Sequence, residues 1–419
     1  MQSLNIAILS YRSAQFGGGQ GVYVKDISYN LSKMGHNVDV ISGPPYPNLD
    51  SSINLIKLPG LNLFETFSFK DRLYKFLKKK KKSLNDYYEF ISVLFGGFPE
   101  LKTFGDRANQ FLIENIHYDI IIDNQSLSYG MLEIQKRFPL IEIIHHPITY
   151  DFKYELAASN KIKYKISRYR WYSFLKMQKK VAPKIKSIIS PSKSSKIGII
   201  EEFNCKEGAI NVINNGLDTN EFIPIKEIKR LPFRLITTAS ADVPLKGLDY
   251  SLKALEILKK EFSEIHLVVI GTPKRNGHTE RLIKKLKIKE NITFKSNLTK
   301  QEIVEEYAKS SISIVSSLYE GFGYPVIEAM SCGTPLIATN VSSIPELVGE
   351  YATLIDSKNE KAISDSIRTI LLDYENFLEI AVKGREHTIK TFNWNKIIRK
   401  YESIILKTID NFMEEEFRC

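Results

Sequence analysis

Glu320 and Glu328 stand eight positions apart in LYEGFGYPVIEAM, on either side of a Gly321-Phe322-Gly323 turn. The apolar run ISIVSS before them predicts a strand. LYEGFG then leaves its carboxyl end and PVIEAMSC predicts a helix. Pro325 suits a first helical turn, where its missing N–H costs nothing, and Gly333 suits the helix stop. Free N–H groups at such a helix start, with the amides of Gly321 and Gly323, form a cradle for anions and hydroxyls. Helical side chains lean toward the N-terminus, so Glu328 is expected to reach the mouth that Glu320 enters from the loop. Carboxylates that accept hydrogen bonds, beside amides that donate them, suit a polyhydroxylated ligand with a phosphate tail.

Two further stretches could contribute. FGGGQG follows the apolar run LNIAILS, and side chains at Gly18 or Gly19 would bar a phosphate from the backbone. IEIIHHPITYD predicts His145 and His146 at a strand end. Neighbours on a strand point to opposite faces, so the pair is not expected to share a metal. No P-loop, nucleophile elbow, H-E-x-x-H, C-x-x-C or D-x-D signature occurs.

These residues need strand ends to hold them. LNIAILS, the glycines, the helix GVYVKDISYNLSKMG and NVDVIS form one β-loop-α-β unit, followed by strands at 118–123, 140–145 and 186–192. A second series opens with FRLITTAS, LDYSLKALEILKKEF and IHLVVIG and continues through NITFKS, ISIVSS and PLIAT. The predicted fold class is therefore α/β, with two doubly wound Rossmann-like domains facing across a deep cleft. The turn-rich NNGLDTNEFIPIKE marks the boundary. Expected domains are 1–214 and 215–392, with a C-terminal helix of about 393–419 packing back on the first.

The 419 residues suit two domains, and the three scattered cysteines suit a reducing interior. The opening residues lack a signal-peptide layout, and no stretch is long and apolar enough to span a membrane. A soluble, cytoplasmic protein is expected. The net charge of +11 concentrates in the first half. Between Lys70 and Lys82, KDRLYKFLKKKKK carries eight basic residues against Asp71, and between Lys161 and Lys186 there are ten and no acid. Such surfaces attract phosphate groups. The first reads as an amphipathic helix with Leu73, Phe76 and Leu77 on one side, suited to peripheral contact with an anionic membrane. The plainer reading is a solvated lysine-rich face. No nucleic-acid-binding module is recognisable.

The E-G-F-G-x-P-x-x-E stretch resembles the family 4 nucleotide-sugar glycosyltransferases, which are retaining enzymes of the two-domain GT-B architecture. FGGGQGVYVKDISYNLSKMGHNVDVIS, VINNGLDTNEFIP, TTASADVPLKGLDYSLKAL and FNWNKIIRKYESI fit the same family in order, so the likeness spans nearly the whole chain. The resemblance implies that Glu328 binds the donor ribose and Glu320 contacts sugar hydroxyls. It implies that Gly321, Phe322 and Gly323 present amides to sugar and diphosphate, and that Gly18 and Gly19 approach the phosphate. Lys246 precedes Gly247 as in the family and would steady the departing diphosphate, but Ser240 stands where the family commonly has arginine. Lys274 or Arg275 is a candidate to supply the missing cation. His145 fits the family histidine near the donor sugar, with His146 second. The implied reaction moves a hexose from a UDP- or GDP-sugar to a cell-envelope polysaccharide, lipopolysaccharide or glycolipid acceptor, without metal or other cofactor. The implied setting is the inner membrane face. The alternative is a basic, membrane- or polyanion-binding Rossmann-like protein without transferase activity. A dehydrogenase is disfavoured because GGGQG does not complete G-x-G-x-x-G.

Overall fold

The structure, a computed structural model, describes residues 3–13, 19–66, 68–239 and 241–416. It resolves into two compact units. The first takes the chain to Pro191, then 195–213, then everything from Ile398 on; the second takes Ser192–Ser194 and Asn214–Ile397.

In the first unit, strands β1 (Asn5–Ser10), β2 (Asn37–Ser42), β3 (Asn54–Lys57), β4 (Ile120–Asn124), β5 (Leu140–Ile143), β6 (Ile188–Ser190) and β7 (Ile210–Val212) form one sheet. The order is β3-β2-β1-β4-β5-β6-β7 and every pairing is parallel. Ile6, Ala7, Ile8 and Leu9 are fully buried, as a central parallel strand covered on both faces requires. The helix Gly19–Lys33 buries Tyr23, Val24, Ile27 and Leu31 on one face.

In the second unit, β8 (Leu231–Thr238), β9 (His266–Ile270), β10 (Ile292–Lys295), β11 (Ser310–Val315), β12 (Leu336–Thr339) and β13 (Thr353–Ile355) run in the order β10-β9-β8-β11-β12-β13. These strands are also all parallel. Strand order reverses between β1 and β4 in one sheet and between β8 and β11 in the other. In such sheets ligands bind beyond the carboxyl ends at the reversal.

The last helix, Trp394–Glu416, is divided between the units, and its part from Ile398 on belongs to the first. Its start is held in the second unit because Gly216 leaves room for the Trp394 ring, where a Cβ would lie 2.3 Å away. Further along, Tyr401 meets Tyr23 and Thr408 meets Ser187 in the first unit.

Among the described residues, three α-helices begin in the stretch 44–110. The expected amphipathic helix spans Phe69–Lys78, so Lys79 to Lys82 lie beyond it. Helices Leu84–Leu94 and Glu100–Glu114 follow. They are joined by a buried ion cluster. Arg107 reaches Glu89 at 2.7 Å and Asp86 at 3.2 Å, Lys79 reaches Asp86 at 2.7 Å, and Thr103 Oγ1 donates to Glu89 at 2.6 Å. Glu89 also accepts from the Leu61 amide at 2.8 Å, which fixes the chain entering the turn Leu63–Glu65.

Candidate active site

The 316–323 loop leaves β11 beside the loop that leaves β8. The Leu318 amide donates to Leu245 O at 2.7 Å, and Ser316 Oγ donates to Gly247 O at 3.0 Å. Gly247 sits at φ 62°, and a Cβ there would come within 1.9 Å of Ser316 O. Only glycine permits this approach, which brings the preceding lysine to the acidic loop. Lys246 Nζ lies 2.7 Å from Glu320 Oε1. Ser317 Oγ donates to the same oxygen at 2.6 Å, and Glu320 is buried.

The turn after Glu320 is held by hydroxyls. Ser192 Oγ donates to Gly321 O at 2.7 Å, and Ser343 Oγ shares its hydrogen between the carbonyls of Glu320 and Phe322, at 2.9 and 2.7 Å. A peptide unit is planar with C=O and N–H opposed. Pinning these carbonyls therefore turns the amides of Gly321, Phe322 and Gly323 away from the serines. Gly323, at φ 104°, caps the helix Tyr324–Ser331, with Pro325 in its first turn.

Glu328 extends from that helix to a second network. Tyr307 Oη donates to Glu328 Oε2 at 3.2 Å and is 2.7 Å from Thr238 Oγ1, at the carboxyl end of β8. Burial, with Glu328 adding, pushes the Tyr307 phenol well up, so it stays protonated and donating. Arg230 fixes both helices involved. Its guanidinium donates to the carbonyls of Tyr307 at 3.0 Å and Ser310 at 2.7 Å, and of Cys332 at 3.2 Å and Gly333 at 2.7 Å. Tyr307 and Arg230 escaped the sequence reading, since no local pattern marks a partner so distant in the chain.

Lys274 and Arg275 are exposed on the loop after β9. Asp242, from the loop after β8, ties that loop down by accepting from the Lys274 amide at 2.7 Å and the Thr279 amide at 2.9 Å. Asp242 also escaped the sequence reading. Ser240 and Gly18 lie outside the described residues.

In the first unit, His145 and His146 fall past the end of β5 rather than on it, which corrects the expectation of opposed strand faces. The ladder ends because the His145 amide donates to the Gln125 side chain at 2.8 Å instead of to a neighbouring strand. The two rings have separate partners: His145 Nε2 is 2.8 Å from Asn124 Oδ1, and His146 Nε2 is 2.8 Å from Asp151 Oδ2. Burial, with His146 adding, pushes His145 down to about 3, so its ring is neutral at neutral pH. With the Asn124 oxygen accepting, Nε2 carries the hydrogen. Tyr23 stands edge-on to the ring at 4.8 Å. Gly19 begins the helix that supplies Tyr23 and is exposed.

Two doubly wound units, one with paired acids and a lysine at its strand-order reversal, define a protein of the glycosyltransferase class. The sequence models for Glycosyltransferase Family 4 and for Glycosyl transferases group 1 match residues 17–221 and 220–387. The chain is 35% identical over 412 residues to the MMP alpha-(1->4)-mannosyltransferase of Mycolicibacterium hassiacum, covering 97% of this chain and 98% of that one. It therefore belongs to the family 4, group 1 glycosyltransferases. Its fold is shared with sucrose-phosphate synthase from Thermosynechococcus elongatus, with a TM-score of 0.75 at 19% identity over 97% of this chain and all of that one. Anabaena HepE, solved in complex with UDP, matches with a TM-score of 0.68 at 16% identity over 96% of this chain and all of that one. Among the described residues, no helix is long and apolar enough to cross a membrane.

Proposed function

We propose that this glycosyltransferase moves a hexose, mannose above all, from a GDP- or UDP-sugar to a cell-envelope polysaccharide, lipopolysaccharide or glycolipid acceptor, with retention. The observation that carries this is the Lys246–Glu320 pair beside the pinned turn. Whole-length likeness to a mannosyltransferase favours mannose.

When the sugar leaves, negative charge grows on the departing diphosphate. The proposal assigns its stabilisation to Lys246 and the 321–323 amides instead of a metal. Glu320 receives sugar hydroxyls and Glu328 the ribose, each by accepting hydrogen bonds. Neutral His145 offers a hydrogen-bonding edge to the donor sugar without competing for the phosphate. No covalent nucleophile is assigned. The departing phosphate takes the acceptor proton on the same face of the sugar, which gives retention. Lys274 and Arg275, held near the β8 loop by Asp242, are proposed to replace the cation that Ser240 lacks.

A thermal-shift panel of GDP-mannose, GDP-glucose, UDP-glucose and UDP-N-acetylglucosamine tests the reading. At a hundred times its dissociation constant a true donor adds about 2.7 kcal/mol of stability, a rise of several degrees. GDP-mannose is expected to give the largest rise. No rise with any donor overturns the reading, and a full rise in both Lys274→Ala and Arg275→Ala removes the compensation.

Membrane contact is proposed as an addition to this activity. Helix Phe69–Lys78 has no buried residue, and Phe69, Tyr74 and Leu77 stand exposed beside its lysines. Its apolar side is not free throughout, since Phe76 stacks on Phe90 at 4.4 Å. Binding to anionic vesicles that weakens with added salt is the expected result in a sedimentation assay. Equal binding to neutral vesicles would remove the electrostatic contact. Vesicle binding by a chain that shows no donor shift would favour the non-enzymatic alternative.

A further inference from the structure

The first unit carries an aromatic wall that the donor chemistry does not use. Phe98 stacks on Trp171, with centroids 5.0 Å apart and planes at 25°. Phe64 packs against both, at 5.7 Å from Phe98 and 5.5 Å from Trp171. Phe174 stands edge-on to Phe98 at 5.7 Å. The rings come from three separate places: the turn Leu63–Glu65, the segment before helix Glu100–Glu114, and the end of helix Ile162–Trp171 with the turn Tyr172–Phe174 that follows it. Packing among rings would explain a fully buried cluster, but here Phe64 remains 37% exposed and Trp171 half-buried.

Two charged groups border the wall. The Arg12 guanidinium lies over the Phe64 ring, 3.4 Å from its centroid. Glu100 accepts from the Phe64 amide through Oε1 at 3.3 Å, while Oε2 is buried and, among the described residues, has no hydrogen-bond partner. Burial pushes the Glu100 carboxyl up to about 7 although Arg12 opposes the shift, as befits a carboxyl with too few partners. A buried acceptor left unmatched in a rigid setting calls for a donor from outside the chain. The ion cluster of Asp86, Glu89 and Arg107 supplies that rigidity by holding the helices that carry Glu100 and the chain that leads to Phe64. Arg12 lies two residues beyond β1, a strand at the strand-order reversal of its sheet.

A pyranose ring matches this set of groups. One face presents C–H bonds to an aromatic surface, and its rim presents hydroxyls that donate to a carboxylate and accept from a guanidinium. We propose that Phe64, Phe98 and Trp171, with Arg12 and Glu100, form a subsite for one sugar ring of the acceptor chain. This rests on the transferase reading above, which supplies a reason for a second sugar to bind.

The chain has two tryptophans, and Trp394 is buried in the second unit, so fluorescence can report on Trp171. Full-length protein is titrated with α-(1→4)-linked mannotetraose and, separately, maltotetraose. The expected result is a saturable change in emission with at least one of them. That change should be absent in Trp171→Phe and need about tenfold more sugar in Phe64→Ala and in Arg12→Ala. No saturable change with either sugar, or a change that persists in Trp171→Phe, overturns the subsite. Donor thermal shifts on the same preparations are expected to be unaltered by Phe64→Ala. A normal donor shift without the Trp171 response sinks the subsite alone, whereas a Trp171 response without any donor shift sinks the transferase reading.

Discussion

Lys246→Ala is expected to lower kcat for sugar transfer by about 10²- to 10³-fold, the usual loss when one fixed donor to developing charge is removed. The lysine is pre-positioned by contacts that do not depend on it. Gly247 must remain glycine for the two loops to approach, and the Leu318–Leu245 and Ser316–Gly247 bonds hold them in register. Alanine at 246 therefore deletes the ammonium without releasing the loop. It leaves Glu320 buried with Ser317 as its side-chain partner. Some loss of stability should accompany the loss of rate, because a buried carboxylate has lost its counter-charge. Glu320→Gln separates the two effects: it also breaks the ion pair but keeps the ammonium, so it should retain more activity than Lys246→Ala. Steady-state kinetics with saturating GDP-mannose decide the matter. If Lys246→Ala lost only donor affinity and kept kcat, the ammonium would be acting in uniform binding and not on the departing charge.

Much of this site was legible because it is local. The E-G-F-G-x-P-x-x-E stretch contains its strand exit, its left-handed glycine and its helix start within a dozen residues, and the chemistry of each is visible in the residue type. Buried parallel strands announce themselves the same way, as Ile6 to Leu9 do. What stayed hidden is long-range. Tyr307 reaches Glu328 and Thr238 from a helix whose sequence shows only amphipathic spacing, and Arg230 braces two helices from a loop. The end of β5 was misplaced for the same reason. IEIIH has strand propensity throughout, and the Gln125 side chain that captures the His145 amide comes from another loop. The aromatic wall is the extreme case, since no window of sequence holds more than one of its three corners.

Glu328→Ala is expected to weaken donor binding by about 10- to 100-fold and so to cut the donor thermal shift by about half or more, since a hydrogen bond to a charged group contributes about 1.5–3 kcal/mol. The side chain is half-buried and already engaged by the Tyr307 phenol at 3.2 Å. A carboxylate accepts at both of its oxygens, which suits hydrogen bonds donated by a ribose diol. Tyr307→Phe gives the discriminating comparison. It keeps the carboxylate and the ring but removes the hydroxyl that orients it, so donor affinity should fall only severalfold. The fold itself should loosen slightly, because Thr238 Oγ1 loses its partner. If Glu328 were merely a structural acceptor for Tyr307, the two substitutions would cost the same in stability and neither would change the donor's dissociation constant. Calorimetric titration with GDP-mannose on both variants distinguishes the cases, because a ligand contact appears in the binding constant and an internal one in the melting temperature of the unliganded chain.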